Sequence, residues 1–415
     1  MRWLILTLFA LTYVGISARR LHLLPVGRPA MALIGASALV VTGAFAGPYG
    51  LSGEAALHAV DPHTLALLFG MMLVAAGLWE SGFFDRAADL LVARLRAPAA
   101  LLWAVTLGSG LLSAVLVNDA VCLLATPLVL RVARRMRAAE TPLVFAVAMG
   151  SNAGSALTLS GNPQNMIVAR LSGLSYGAYL ARAALPALAA LVLTAAVLHV
   201  LHRHDLDAPA AGPEAPESGP VAPPHPSDRP LLAAALLGLV GTVVANLAGA
   251  PLAWSALVAA SVVLVAARER ANALIARVDW SVLLFFAGLF VVVAALRKTA
   301  LPDAALAALG TPAGLWGEGI LVAVLAVGSQ VVSNVPLIIV LEPWIRTFPD
   351  PAHAWTTTAL VSTLAGNLTL LGSVANVIVL EQARSSLGFW AYLRVGVPVT
   401  AASMTAALAL AQLTR

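Results

Sequence analysis

Long apolar runs, separated by short loops that carry arginine, occupy most of this 415-residue chain. Runs of about 16 to 28 apolar residues are the length a helix needs to cross a bilayer. They predict spans at 3–18, 30–47, 64–83, 142–169, 178–201, 231–249, 252–267, 280–296, 355–380 and 389–411. The runs do not alternate with period two, so a porin-like barrel is excluded. Arg203 to Pro230 breaks the pattern with proline, alanine, glycine and scattered charge, and reads as a disordered linker. At the start, Trp3 to Ile16 followed by Ser17-Ala18 fits a signal peptide or a first helix ended by Arg19 and Arg20. With so many spans following, the helix is the expectation.

Two further runs, 98–130 and 318–343, are interrupted by polar residues. The first contains VNDAVCLLATP (Val117 to Pro127) and is followed by SGNPQN (Ser160 to Asn165). The second contains SNVPLIIVLEP (Ser333 to Pro343) and is followed by LGSVAN (Leu371 to Asn376). Amides, a carboxylate, glycines and prolines at membrane depth are costly, and survive where they line a protected cavity. Such interruptions in corresponding halves point to the substrate site of a secondary transporter.

The halves are related in sequence. Asp61 to Phe83 aligns without gaps on Asp279 to Leu301, matching Leu65/Leu283, Gly70/Gly288, Val74/Val292, Ala76/Ala294 and Leu78/Leu296. Ser113, Asn118 and Pro127 then match Ser329, Asn334 and Pro343 at constant spacing. Thr158, Leu159, Gly161 and Asn165 match Thr369, Leu370, Gly372 and Asn376.

Charge sets an orientation. With the loop holding Arg19, Arg20 and Arg28 in the cytoplasm, 17 of the 24 basic residues fall on that side, as the positive-inside rule requires. Run 98–130 has basic residues at both ends, so it enters and leaves on one face. After Asn118-Asp119 only about 11 apolar residues remain, ~16 Å of helix against a ~30 Å core. A re-entrant hairpin with Asn118 and Asp119 at its tip is the economical reading. Run 318–343 makes a second hairpin from the opposite face, and the repeat is inverted.

Composition narrows the class. Sixty per cent of residues are apolar, 10% are charged and mean hydropathy is +0.91. The formal charge of +5 comes from arginines at membrane borders, so nucleic acid is not an expected partner, whereas the lipid bilayer is. A single cysteine, Cys122, rules out a disulfide framework, and packing is its expected role. His199, His202 and His204 are loosely spaced at a helix end and read as interfacial. Glu80, Asp279, Glu342 and Glu381 fall near span ends. No phosphate-cradling GxxxxGK[ST] and no HExxH is present. No enzyme activity and no cofactor is expected.

At a tip in mid-membrane, amides of the second arm and carbonyls of the first face the cavity. Helix N-termini favour anions, and unwound carbonyls with Asn and Ser oxygens favour small hard cations. Asn offers both an acceptor and a donor. The candidate substrate contacts are Asn118, Asp119, Ala120, Asn162, Pro163, Ser333, Asn334, Ser373 and Val374. Candidates for cation or proton coupling, with Na⁺ as the metal, are Ser113, Asn118, Asp119, Gly161, Asn165, Ser329, Asn334, Gly372 and Asn376. The bland alternative is that these polar residues simply tie helices together. The duplicated spacing favours a site. Asp119 has Val335 as its counterpart and so breaks the symmetry.

Asn118-Asp119-Ala120-Val121 with Thr126-Pro127, the run Gly150 to Asn165, and Ala365 to Val379 resemble the ion transporter superfamily. That grouping spans citrate-transporter-like permeases, arsenite permeases, sodium–proton antiporters and divalent-anion:sodium symporters. The resemblance, over roughly residues 30 to 411, implies a scaffold with a transport part in which two hairpins and two unwound helices enclose cation and substrate. It places Val117 to Ala120 and Ser333 to Val335 at the tips, and Gly161 to Asn165 and Gly372 to Asn376 in the unwound stretches. The symporter branch carries Ser-Asn-Thr at each tip. Only the asparagines match in both tips here, and Asp119 would repel a dianion, so the first tip is closer to the arsenite-permease and antiporter branch. Homodimers are common among such proteins.

The expectation is an all-α polytopic membrane protein with about ten transmembrane helices, two re-entrant hairpins and an inverted repeat. Residues 1–28 form an N-terminal helix and loop, 29–202 the first repeat, 203–230 a cytoplasmic linker and 231–415 the second repeat. The termini lie outside the inner (plasma) membrane. The expected function is secondary active transport of a small anion or oxyacid, arsenite-like or carboxylate, coupled to H⁺ or Na⁺. The rival is a sodium–proton antiporter. A membrane enzyme would need clustered acid, base or metal ligands in the spans, and a channel a continuous polar path.

Overall fold

The computed structural model describes residues 1–17, 27–207, 228–310, 312, 314–385 and 387–415. Arg19, Arg20 and most of the expected linker, 208–227, lie outside the described residues. Among the described residues every regular element is helical. The first half contains α1 (Arg2–Ser17), α2 (Arg28–Gly43), α3 (Gly53–Ala59), α4 (Pro62–Glu80) and α5 (Phe83–Arg94). Next come α6 (Pro98–Val115), α7 (Asn118–Met136), α8 (Glu140–Ser155), α9 (Pro163–Ser172), α10 (Tyr176–Leu201) and the short α11 (Arg203–Asp207). The second half contains α12 (Arg229–Leu247), α13 (Leu252–Ala267), α14 (Ala271–Ala276), α15 (Trp280–Arg297) and α16 (Leu301–Leu309). It ends with α17 (Gly314–Val332), α18 (Asn334–Ile345), α19 (Pro351–Ala365), α20 (Val374–Gln382) and α21 (Phe389–Ala411).

By length and composition, eight helical stretches among the described residues are able to cross a membrane; Arg2–Ile16, Arg28–Gly43 and Asn334–Ile345 are shorter apolar helices. Several boundaries depart from the sequence expectation. The runs 142–169 and 355–380 are each two helices, α8 with α9 and α19 with α20. The chain unwinds over 156–162 and 366–373, upstream of the expected Gly161 to Asn165 and Gly372 to Asn376. Pro163 to Asn165 and Val374 to Asn376 are helical because Pro163 and Val374 already start the next helices. The helix after Asn118 is longer than its eleven-residue apolar stretch, for α7 continues through the basic residues to Met136. The preceding arms α6 and α17 are themselves long and apolar enough to span. The start of the expected linker is helical in α11, where Asp205 meets the His202 ring at 3.0 Å.

The order of elements repeats, and so do local details. Asp61 caps α4 by accepting from the His63 amide at 3.2 Å; its counterpart Asp279 caps α15 by accepting from the Ser281 and Val282 amides at 3.1 and 3.3 Å. A carboxylate there satisfies orphan amides and opposes the positive helix end. Packing then crosses between halves: α2 lies on α15, and α13 lies on α4. Small residues permit both approaches. A Cβ on Gly70 would stand 2.8 Å from the Ala256 backbone, and one on Gly288 would stand 2.9 Å from that of Ala32.

The broken helices occupy the interior. In α8 every residue from Pro142 to Ser155 is buried, and in α19 every residue from His353 to Ala365. These helices are rich in Ser, Thr and Asn, which is affordable only if each polar group is bonded. Many hydroxyls bond back along their own helix, as when Thr358 donates to the Ala354 carbonyl at 2.8 Å.

Candidate functional site

The breaks before α7 and α18 meet at one small cavity. It has a volume of about 80 Å³ and is lined by Asn118 and Asp119 from the first break and by Ser333, Asn334 and Val335 from the second. Pro163 and Gln164 face it from α9, and Gly372, Ser373 and Val374 from the start of α20. Ser329 and Gln330 of α17 and Arg28 of α2 complete the polar lining. Asn118, Pro163, Asn334 and Val374 are each the first residue of a helix, so four helix N-termini open on one space.

Backbone geometry explains why the chain breaks here. The Asn118 amide donates to the Gly161 carbonyl at 2.9 Å, which joins the first break to the unwound stretch behind it. Gly161 leaves no room for a side chain, since a Cβ there would lie 2.3 Å from the Ser155 carbonyl oxygen. At Gly372 a Cβ would lie 2.8 Å from the Gln330 side chain. Pro163 stands at the first position of α9, where its missing N–H costs nothing. The second break is tighter than the first: Ser333 has φ 65°, a strained conformation for a residue with a side chain, whereas Val117 has an ordinary extended φ of −66°. Gly161→Ala is therefore expected to lower stability by about 1–3 kcal/mol and to abolish transport. Thermal unfolding in detergent together with reconstituted flux measures both, and a wild-type melt would mean that the strand of chain around Gly161 gives way easily.

An asparagine network fixes the tip side chains. The Asn376 amide donates to the carbonyls of Gly366 (2.7 Å) and Thr369 (3.1 Å), which can only accept. Its Oδ1 must then be the atom that accepts from Asn152 Nδ2 at 3.0 Å. Asn367 leads to the same result: it donates to the Met149 carbonyl at 3.1 Å and accepts from Asn152 Nδ2 at 2.9 Å. Asn152 therefore turns its Oδ1 toward the tips, where it accepts from Asn118 Nδ2 at 3.0 Å and from Ser373 Oγ at 3.1 Å. All four of its hydrogen-bonding positions are used. Asn118 is left with its Oδ1 buried and without a protein partner among the described residues, as are Asn334 Oδ1 and Ser113 Oγ.

The network is reciprocal between halves. Asn165 Nδ2 donates to the Ser155 and Thr158 carbonyls at 3.2 and 2.9 Å, ten and seven residues upstream, as Asn376 does to Gly366 and Thr369. Asn152 of the first half reaches Asn376 of the second, and Thr363 of the second donates to Asn165 Oδ1 of the first at 3.3 Å.

Of the residues singled out from sequence, Asn118, Asp119, Pro163, Ser329, Ser333, Asn334, Gly372, Ser373 and Val374 converge on the cavity. Others stand behind it. Asn162 caps α9, its Oδ1 accepting from the Asn165 amide at 2.8 Å while its amide donates to Ser155 Oγ and Thr363 Oγ1. Asn165, Asn376 and Gly161 are held in the network just described. Ser329 is bonded already, donating to the Ala326 carbonyl at 3.2 Å and accepting from Gln330 at 2.9 Å, whereas its counterpart Ser113 is unpartnered. Ala120 faces a different cavity, of about 340 Å³, which Asp119 also lines. Sequence reasoning missed Asn152, Asn367, Gln164, Gln330 and Arg28. Oxygen ligands without competing sulfur or imidazole suit a small hard cation. Among the described residues no cluster of three His, Cys, Asp or Glu is placed to hold a metal. Cys122 is buried beside Ser151 at 2.9 Å.

Apolar helices of spanning length, broken in matching places around one polar centre, define a membrane transporter. The chain belongs to the citrate transporter family, whose model matches residues 13–365. It is 29% identical to the silicon efflux transporter LSI3 of Oryza sativa subsp. japonica over 91% of this chain and 90% of that one. It is 30% identical to the inner membrane protein YbiR of Escherichia coli (strain K12), over 82% of this chain and 85% of YbiR. Among solved structures, the YdaH transporter of Alcanivorax borkumensis, described as having an unusual topology, superposes with a TM-score of 0.53 at 17% identity. It covers 97% of this chain and 98% of its own, which establishes a likeness of fold.

Proposed function

We propose that the protein is a secondary active transporter that moves a small anion or oxyacid across the plasma membrane by alternating access, coupled to H⁺ or Na⁺. One observation carries this reading: four helix N-termini open on the cavity that both breaks line. The positive ends of their dipoles supply potential for an anion or for acid oxygens. The unpartnered oxygens of Asn118, Ser113 and Asn334 are the groups that would hold Na⁺. In this reading α6–α7 and α17–α18 are re-entrant pairs from opposite faces, residues 203–230 are cytoplasmic and the termini lie outside. The carboxylate of Asp119 disfavours a dianion and favours a weak acid. The rice relative's name, a silicon efflux transporter, accords with a small oxyacid.

Flux into proteoliposomes tests the proposal, with a panel of oxyacids and carboxylates under imposed Na⁺ or pH gradients. Uptake of at least one of them, driven by one gradient, is the expected result. Sodium-driven proton movement with no anion dependence would replace it with an antiporter. That second reading has its own support, because Asp119 lines both cavities and could bind proton and Na⁺ in turn. In either case Asp119→Asn is expected to remove the pH dependence of the coupled flux, since it deletes the one carboxylate on the small cavity's lining among the described residues. An unchanged pH profile would return Asp119 to a structural role.

A further inference from the structure

The cavity of about 340 Å³ is separate from the small one, and Asp119 is the one residue common to the two linings among the described residues. Its size is within the range of small-molecule sites. Its walls are continuous helix faces. On α7 the lining residues run from Asp119 and Ala120 through Leu123 and Leu124 to Pro127, a stripe ~12 Å long at 1.5 Å per residue. On α4 they are Met72, Ala75, Ala76 and Trp79, again one face, and α20 contributes Ile378 and Gln382. At the corner before α15, Arg277 and Asp279 add polar groups to the lining. Arg277 is half exposed and pairs with Glu80 at 2.5 Å, which ties that corner to the C-terminal end of α4. A mostly apolar cavity of this size whose lining also holds Asp119, Arg277, Asp279 and Gln382 is unlike a packing void, which would be small and dry.

We infer that this cavity is the vestibule through which substrate and water reach the tip site from the face bearing Arg277 and Glu80, and that Asp119 partitions the vestibule from the tips. The inference rests on the transporter reading and adds to it a route and an open face. The apolar stripe of Leu123, Leu124 and Ile378 lets a small solute pass without binding it. Asp119 is the lining group that the vestibule shares with the tip site.

Cysteine reporters test this in a Cys122→Ser background, which removes the only native thiol. Leu123→Cys, Leu124→Cys and Ile378→Cys report on the walls, and Arg277→Cys marks the open face. Leu73→Cys, fully buried and in neither lining, is the control. A charged, membrane-impermeant methanethiosulfonate is applied to inside-out and to right-side-out vesicles. The three wall cysteines are expected to react only from the face that modifies Arg277→Cys, with Leu73→Cys unreactive, and their modification should block flux. Silence from both faces, reaction from the opposite face or from both, or labelling that leaves flux intact would each overturn the vestibule. Labelling needs no substrate, so a failed anion panel would overturn the substrate class and leave this result standing.

Discussion

Asn152→Asp is expected to yield a protein that is inactive and markedly less stable. The substitution replaces a donor by an acceptor where two acceptors, Asn367 Oδ1 and Asn376 Oδ1, stand at 2.9 and 3.0 Å. Neither neighbour can turn over in response. Each has its amide committed to backbone carbonyls, Asn367 to Met149 and Asn376 to Gly366 and Thr369. A buried acceptor left without a donor costs about 1–3 kcal/mol, so two cost about 2–6 kcal/mol before any charge is counted. An uncompensated carboxylate in the interior adds to this. Such a loss is a large fraction of the ~5–15 kcal/mol that typically holds a fold together. Thermal unfolding in detergent is the measurement, and a midpoint within a few degrees of wild type would mean that the network does not hold the broken helices.

Asn118→Ala and Asn334→Ala should separate the two effects: abolish transport and spare the fold. Losing the Asn118 side chain removes one hydrogen bond, and Asn152 Oδ1 still accepts from Ser373 Oγ at 3.1 Å. The cost is of the order of 1 kcal/mol. The Asn334 side-chain oxygen has no protein partner to lose among the described residues. What disappears in both variants is an oxygen facing the cavity, with the amide beside it. Monodisperse protein with near-normal melting and no flux is the expected outcome. Full activity in both variants would sink the site.

The tip residues were legible in sequence because they recur. Ser113, Asn118 and Gly161 have counterparts in Ser329, Asn334 and Gly372, and a repeat at fixed spacing reports a shared backbone event. Asn152 was not legible for the same reason. At the Asn165/Asn376 offset its counterpart is Thr363, and that of Asn367 is Ala156, so neither announces itself by matching. The long runs predicted helices, and the family resemblance placed breaks at Gly161 to Asn165 and Gly372 to Asn376. Hydropathy could not reveal that the unwinding begins upstream, at Ala156 and Gly366. Ala156, Leu157 and Leu159 are as apolar as the helices around them. Arg28 was assigned to a loop by its neighbours in the chain, whereas in three dimensions it begins α2 and lines the small cavity. A long guanidinium can reach well away from its own backbone position.

The crossing of bonds between halves has a consequence for how the molecule can be divided. Expressed alone, residues 1–202 would present Asn152 without its acceptors Asn367 and Asn376, and Asn165 Oδ1 without the Thr363 hydroxyl. The face of α4 shaped around Ala256, and that of α2 shaped around Gly288, would both be bare. The chain repeats, but its structural unit is the interlocked pair, so a cut between the halves should restore a working protein only when both pieces are made together.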